Sequence, residues 1–515
     1  MKYTISIHTK HDANMTISGE GEIVEYIEFE KVVGVRYFCF SEDIKFEREF
    51  SEIIYPFLKK YKNSIKKINF CWLSDFQKKT FIEAFPNCKI DEKEHHLSHA
   101  YSLFAFTKPR ESDLIISFDG GGDKNDFFKI FQWENCQIKL LREIKLNLGT
   151  PYRFLGMLTD EIKSSPTFKY DTNHHLPGKI MGLAPLGKVV EQYLDPLRDF
   201  YLEFGGADIK ESLKNLLRTL DIPFDENLKI DREIARNILR TSQKILENLF
   251  FENLQEIYYK KFERILLAGG CALNIKLNTE IYKRTKKEIF VSPVPSDCGI
   301  SIGAVLSDIK LEHFKPLPNA FIGLEFEGDL SDYIEKLKPI KVNAKELAKE
   351  LAEGKIIGTI INKMEAGPRA LGNHSLLASP LKYGVKDKLN RIKERESFRP
   401  VATMVLDKKQ DIYFEKSPIS KYMSFSPKIR CEFNKTLSEV VHFDKTCRIQ
   451  TVTKEEGFIY QLITEFEKQT GIGILINTSL NIKGKPILNN LKEAFRLLET
   501  LEIDGLYIEG FLFKT

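Results

Sequence analysis

Residues 113–122 read DLIISFDGGG, a short apolar run that stops at an acid followed by three glycines. The string ERILLAGGCALN, from Glu263 to Asn274, repeats the form with Gly269 and Gly270 after its apolar run. Runs of this length that end in glycine turns read as buried strands whose ends open toward a ligand. INFCWLS (Ile68 to Ser74) is of the same kind, and YTISIHT, a polar turn around Lys10 to Asn14 and MTIS predict a hairpin. Between Ala235 and Phe262, apolar residues at Ile238, Leu239, Ile245, Leu246, Leu249, Phe250, Leu254 and Ile257 recur at the spacing of an amphipathic helix that leads into ILLAGG. Strands alternating with helices place the chain in the α/β class.

A chain of 515 residues exceeds what one core organises, so two domains are expected. The boundary falls in the charged, weakly patterned stretch FEGDLSDYIEKLKPIKVNAKELAKE (Phe326 to Glu350), before the strand-like KIIGTII at Lys355. This divides the chain into 1–335 and 336–515. With 77 basic against 73 acidic residues the net charge is only +4, which gives no electrostatic reason to expect nucleic acid or a membrane as partner. Neither a signal-peptide core nor an apolar run of ~18 residues is present, and the expected location is cytoplasmic. The eight cysteines contain no C-x-x-C pair, which argues against a zinc ribbon or a disulfide framework.

Several strings carry candidate chemistry. In EHHLSHAYS, His95 and His99 lie one helical turn apart, so both imidazoles can meet one metal ion; a core-packed histidine cluster is the alternative. Carboxylates complete such a set, and Asp119 and Asp297 each end at a turn, where a turn former or a helix cap would also be at home. The backbone at Gly120, Gly121, Gly269 and Gly270 can approach phosphate closely, although a Walker lysine is missing. Further on, MEAGPRALGNHSLLASP, NRIKERESFRPVA, HFDKTCRIQTV and INTSLNIKGKPI supply Arg369, Lys393, Arg395, Arg399 and Arg448. Fixed cations of this density suit a triphosphate and a second phosphorylated substrate; a solvated helix face is the alternative for Lys393 and Arg395. Asn477, Ser479 and Asn481 alternate, which places three polar side chains on one face of a strand.

Together, HDANMTI, HHLSHA, DGGG, GKIMGLA, LAGGCALN, SDCGISIGA, EAGPRALGN, K-x-R-E-x-F-R-P and NTSLN resemble the carbamoyltransferase family, which includes nodulation-factor and antibiotic O-carbamoyltransferases. The resemblance implies a large domain of the actin, sugar kinase and heat-shock ATPase type, followed by a smaller YrdC-like α/β domain. It implies that the second domain makes carbamoyl-adenylate from carbamoyl phosphate and ATP, with Mg²⁺ accompanying ATP. The large domain then moves the carbamoyl group to an acceptor hydroxyl of a small molecule or saccharide. A metal ion, iron in such domains, would be held by His95, His99, Asp119 and Asp297. Lys179, Gly269, Gly270 and Asn274 fall at the family's nucleotide contacts, and His11, beside Asp12, is the candidate general base.

The chain departs from the family pattern at several points. Asn362 and Lys445 stand where the family has glycine, Ala366 stands where it has phenylalanine, His374 replaces an arginine, and Asp123 replaces a glutamate. Two other readings use related folds: a threonylcarbamoyl-type tRNA-modifying enzyme, and a non-enzymatic ATP-switched interaction protein.

Overall fold

The computed structural model describes residues 2–122, 126–162, 173–204, 208–255 and 259–514. Asp123 and Ile257 lie outside the described residues. Three sheets organise the chain. The first holds β1 (Tyr3–His8), β2 (Asn14–Gly19), β3 (Glu22–Glu28), β4 (Ile65–Phe70) and β5 (Lys89–Glu92), in the order β3-β2-β1-β4-β5. The second holds β6 (Asp113–Phe118), β7 (Phe128–Glu134), β8 (Gln137–Ile144), β9 (Arg264–Ala268) and β10 (Glu288–Val291), in the order β10-β9-β6-β7-β8.

Read from its other edge, the second sheet repeats the first. In each, three antiparallel strands form a meander and two more run parallel to the first strand. This duplicated order is the frame of the actin, sugar kinase and heat-shock ATPase type. All six residues of β6 and all five of β9 are buried, because helices cover both faces of the sheet there; this is why those strands read as continuous apolar runs rather than alternating ones. The expected hairpin is β1–β2, and the expected amphipathic helix spans Arg232–Gln255, ending before Phe262.

Equivalent positions in the two repeats converge. The helix His95–Ser102 follows β5, and the helix Ile300–Leu306 follows β10. These two pack directly on one another, and a Cβ at Gly303 would collide with the Ser98 carbonyl, so only glycine permits the approach. Glu94 caps the first helix by accepting from the backbone of His96 and Leu97.

The third sheet holds β11 (Ile340–Lys341), β12 (Ile357–Ile360), β13 (His374–Ala378), β14 (Ala402–Leu406), β15 (Arg448–Val452), β16 (Ile474–Ser479), β17 (Gly505–Ile508) and β18 (Phe511–Lys514). Their order is β11-β18-β17-β12-β13-β16-β14-β15, of mixed direction, with separate apolar cores on its two faces. The stretch from Phe326 is not an open linker. Phe326, Leu330, Tyr333 and Ile334 pack on the core of the third sheet, with Tyr333 stacked on Phe495 at 3.9 Å.

Candidate functional site

The turn after β1 carries His11 and Asp12, and the equivalent turn after β6 carries Asp119, Gly120 and Gly121. Asp12 adopts φ +57, a left-handed conformation that short acidic side chains tolerate, and it places its carboxylate 3.5 Å from His11 Nδ1. Asn14 then ties this turn to the other repeat, its amide donating to the Asp12 carbonyl at 2.7 Å and to the Asp297 carbonyl at 2.8 Å.

The sequence-expected metal set comes together at the crossing of the two helices. His95 and His99 project from successive turns, with their Nε2 atoms 3.2 Å apart. His99 Nε2 stands 3.3 Å from Asp119 Oδ2 and 3.3 Å from Asp297 Oδ1. One donor atom from each of His95, His99, Asp119 and Asp297 falls within 4.8 Å of the others. On the far side of Asp297, Oδ2 faces His8 at 3.5 Å and His11 at 3.4 Å. His96, between them, faces away from this set and is bonded to Ser117 and to the Asp126 carbonyl.

The electrostatics of this cluster call for positive charge. Burial lowers the pKa of His11 and His99, yet the aspartates outweigh it and hold both at about 9. His95, pushed down to about 3 chiefly by burial, stays neutral and able to ligate. Burial also works against the Asp297 anion, but His11, His95, His8 and His99 hold it well below the usual carboxylate range. The two anions favour a proton on His99, and a divalent cation that displaced that proton would meet two imidazole nitrogens and two carboxylates, a donor set that fits zinc or iron.

A cavity of about 620 Å³ opens in front of this cluster, and both parts of the chain line it. From the first two sheets come His11, Asp12, Asp119, Gly120, Gly121, Lys179, Gly270, Asn274 and Asp297. From the third come Arg369, Lys393, Arg395, Arg399, Arg448, Asn477, Ser479 and Asn481. His95 and His99 stand behind the aspartates, off the wall. Gly269 is also off the wall; at φ +88 its missing side chain lets the backbone pass the Phe118 carbonyl, so its role is a close crossing. Asn274 caps the helix Ile275–Thr285 and bonds Gln243.

The cations are not a solvated face. Lys393, at the end of the helix Val385–Ile392, is 7% exposed and donates to the Ser479 and Asn481 carbonyls and to their side chains. Arg369, Arg395 and Arg448 have no carboxylate within 4.0 Å among the described residues, and Arg448 Nε has no hydrogen-bond partner there. Burial first, and then the neighbouring guanidinium groups, push Arg369 down to about 10, Arg395 to about 9 and Arg448 well below its ordinary value. Like charges crowded out of water require an anion to be stable. The strand β16 ends at Ser479, so the expected row breaks: Asn477 turns to Gln450 and the Ala370 carbonyl, and Asn481 lies in the following loop. Lys179 meets the second part of the chain, pairing with Glu396 at 3.0 Å.

Sequence reasoning missed Arg36, Tyr37, His174 and Glu396. Arg36 comes from the first sheet's side of the cavity yet bears electrostatically on Arg369, Lys393 and Arg399, and the His174 ring lies tilted against His11 with centroids 4.2 Å apart. Nothing in the local strings of Arg36, Tyr37 and His174 marks them, because only the tertiary fold brings them to the wall; Glu396 lies inside K-x-R-E-x-F-R-P, where the cations around it drew the reading.

Residues 35–306 match the family model described as carbamoyltransferase N-terminus, and residues 348–515 match carbamoyltransferase C-terminus. An uncharacterized protein of Methanocaldococcus jannaschii is 31% identical over 459 residues, spanning 82% of this chain and 73% of that one. Nodulation protein NolO of Bradyrhizobium diazoefficiens is 30% identical over 459 residues (82% and 78%), and nodulation protein U of Sinorhizobium fredii is 28% identical over 438 residues (81% and 76%). No helix among the described residues is long and apolar enough to cross a membrane.

Proposed function

The chain belongs to the carbamoyltransferase family, and from that premise we propose that it forms carbamoyl-adenylate and passes the carbamoyl group to an acceptor hydroxyl within one shared cavity. Residues 1–335 are the transfer domain, and residues 336–515 are a YrdC-like adenylating domain. The observation that carries the reading is the two-sided wall: the anion-demanding cations and the cation-demanding carboxylates face one space of about 620 Å³.

Arg369, Lys393, Arg395, Arg399 and Arg448 bind the phosphates of carbamoyl phosphate and ATP. Water releases carbamate from its phosphate, and a carbamate oxygen attacks the α-phosphorus of ATP, with pyrophosphate leaving. The Gly120 and Gly270 amides each donate to the Asp119 carboxylate at 2.6 Å, and the Gly121 amide beside them receives the adenylate's phosphate. His11, when neutral, takes the proton of the acceptor hydroxyl; the oxygen bonds to the carbamoyl carbon, and AMP leaves. The metal held by His95, His99, Asp119 and Asp297, iron by family resemblance, would act as a Lewis acid toward the carbamoyl or phosphate oxygens.

The division of labour is tested by Arg399→Ala. Exchange of labelled pyrophosphate into ATP with carbamoyl phosphate present should fall by at least ~10², the scale of losing one electrostatic stabiliser. Transfer from supplied carbamoyl-adenylate should remain nearly intact. Equal loss of both activities would refute the assignment.

A further inference from the structure

Between the two sets of charges lies a joint that the reaction itself does not use. Lys31, in the helix Phe29–Val33, donates to the Glu28 carboxylate, to the Glu365 carbonyl at 2.6 Å and to the Gly367 carbonyl at 3.1 Å. Glu28 in turn accepts from the Gly367 amide at 3.1 Å. Thus one buried ion pair grips both the N–H and the C=O of Gly367, two residues before Arg369. The Lys31 and Glu28 side chains are only 2% and 5% exposed.

The opposite face of Gly367 is fixed as well. Its φ is +90, and a Cβ there would collide with the carbonyl of Pro293, in the loop that leads to Asp297. Within the loop, Glu365 Oε1 accepts from the amides of Leu371, Asn373 and His374 at 2.7, 3.0 and 3.1 Å. Glu28 is the register partner of Asn14, whose side chain holds the Asp12 and Asp297 carbonyls. Arg369, with no carboxylate partner of its own, is therefore placed by backbone contacts that originate at the His11–Asp297 edge.

We propose that Glu28, Lys31 and Gly367 form a positioning joint that sets Arg369 in register with the His11–Asp297 edge of the cavity. The proposal rests on the reading of Arg369 as a phosphate ligand. A joint of this kind acts only through the group it places, which separates it from ordinary packing between domains.

The test uses the full chain and carbamoyl phosphate as the probe, with calorimetric affinity and the KM and kcat of pyrophosphate exchange as readouts. The double change Glu28→Gln, Lys31→Met removes both charges at similar volume, so neither is left buried and unpaired. It should weaken carbamoyl phosphate binding at least about tenfold, the scale on which outer partners of a binding group act, and raise KM more than it lowers kcat. Lys31→Arg, which keeps a cationic donor, should stay near wild type. In an Arg369→Ala background the double change should add nothing. Wild-type affinity in the Glu28→Gln, Lys31→Met protein, or full additivity with Arg369→Ala, would overturn the joint alone. A wild-type protein that binds neither carbamoyl phosphate nor ATP would overturn the reading of the cations, and the joint with it.

Discussion

At the scale of single residues, the sharpest test concerns His95, His99, Asp119 and Asp297. Replacing both histidines, His95→Ala and His99→Ala, removes half the set, and two carboxylates on separate turns hold an ion weakly. Metal content by elemental analysis should fall to background, and carbamoyl transfer should drop by at least ~10²–10³ while pyrophosphate exchange is retained. A double variant that loses its metal yet transfers normally would make the site structural. The convergence of His95 and His99 was legible from their helical spacing, whereas Asp119 and Asp297 read locally as a turn former and a helix cap and joined them only through the family resemblance. His8, 3.5 Å from Asp297 Oδ2, was not legible, since an isolated histidine at the end of a strand carries no local signal. The departures from the family pattern have a residue-level meaning too. Asn362 and Lys445, standing where the family has glycine, adopt φ +50 and φ +61, so the fold imposes the left-handed conformation and this chain meets it with side chains less suited than glycine. That requirement was hidden in a sequence that lacks the glycines.

At the scale of elements, the strands were legible because burial on both faces produces continuous apolar runs, whereas the role of the stretch 326–350 was not. Its charge and weak periodicity suggest a linker, yet Phe326, Leu330, Tyr333 and Ile334 pack on one core of the third sheet and Val342, Leu347 and Ala348 on the other. The Glu327 amide donates to the Asn489 carbonyl and the Leu491 amide to the Glu327 carbonyl, while the Gly323 amide donates to the Met364 carbonyl and the Met364 amide to the Leu324 carbonyl. A short helix with one packed face and one charged face cannot be told from a loop by periodicity alone. Its exposed end, around Lys336 and Lys338, is still the place where a protease finds accessible backbone between the second and third sheets. Brief trypsin treatment should yield two bands on a denaturing gel. The two pieces should nevertheless elute together under native conditions, because residues 320–334 remain docked on the third sheet after the cut. Separate elution, or cuts only at the termini, would count against this account of the element.

At the scale of the whole molecule, the shared cavity requires that its two walls keep their spacing, and the seam is fastened away from the chemistry. The helix Ile275–Thr285 is bound to the second part of the chain through its N-terminal half. Asn278 donates to the Ser424 carbonyl at 3.1 Å, the Ser426 amide donates to Thr279 at 2.8 Å, and Lys276 reaches Asp444 and Thr446, each at 2.5 Å. Burial opposes the Asp444 anion, but His442, Lys276 and Thr446 outweigh it and hold its carboxyl well below the usual range. Burial also lowers Lys276, so the pair as a whole contributes less than the Asp444 shift alone suggests. Because the folded pKa of Asp444 is depressed, its contribution is present above the unfolded value of ~3.9 and is lost as pH falls below that toward the folded value. Asp444→Asn leaves Lys276 unpaired and should cost about 2–3 kcal/mol at pH 7, somewhat under the value for fully buried pairs because the two side chains remain 13% and 20% exposed. The gap in thermal midpoint between wild type and Asp444→Asn should therefore be open at pH 7 and narrow progressively below pH ~4. The double change Lys276→Met, Asp444→Asn should recover most of the loss at neutral pH, since it removes both charges together. A gap that stays constant from pH 7 to pH 3 would mean that the ion pair is not what fastens this side of the seam, and that the spacing of the cavity walls is set by the backbone contacts of the same helix.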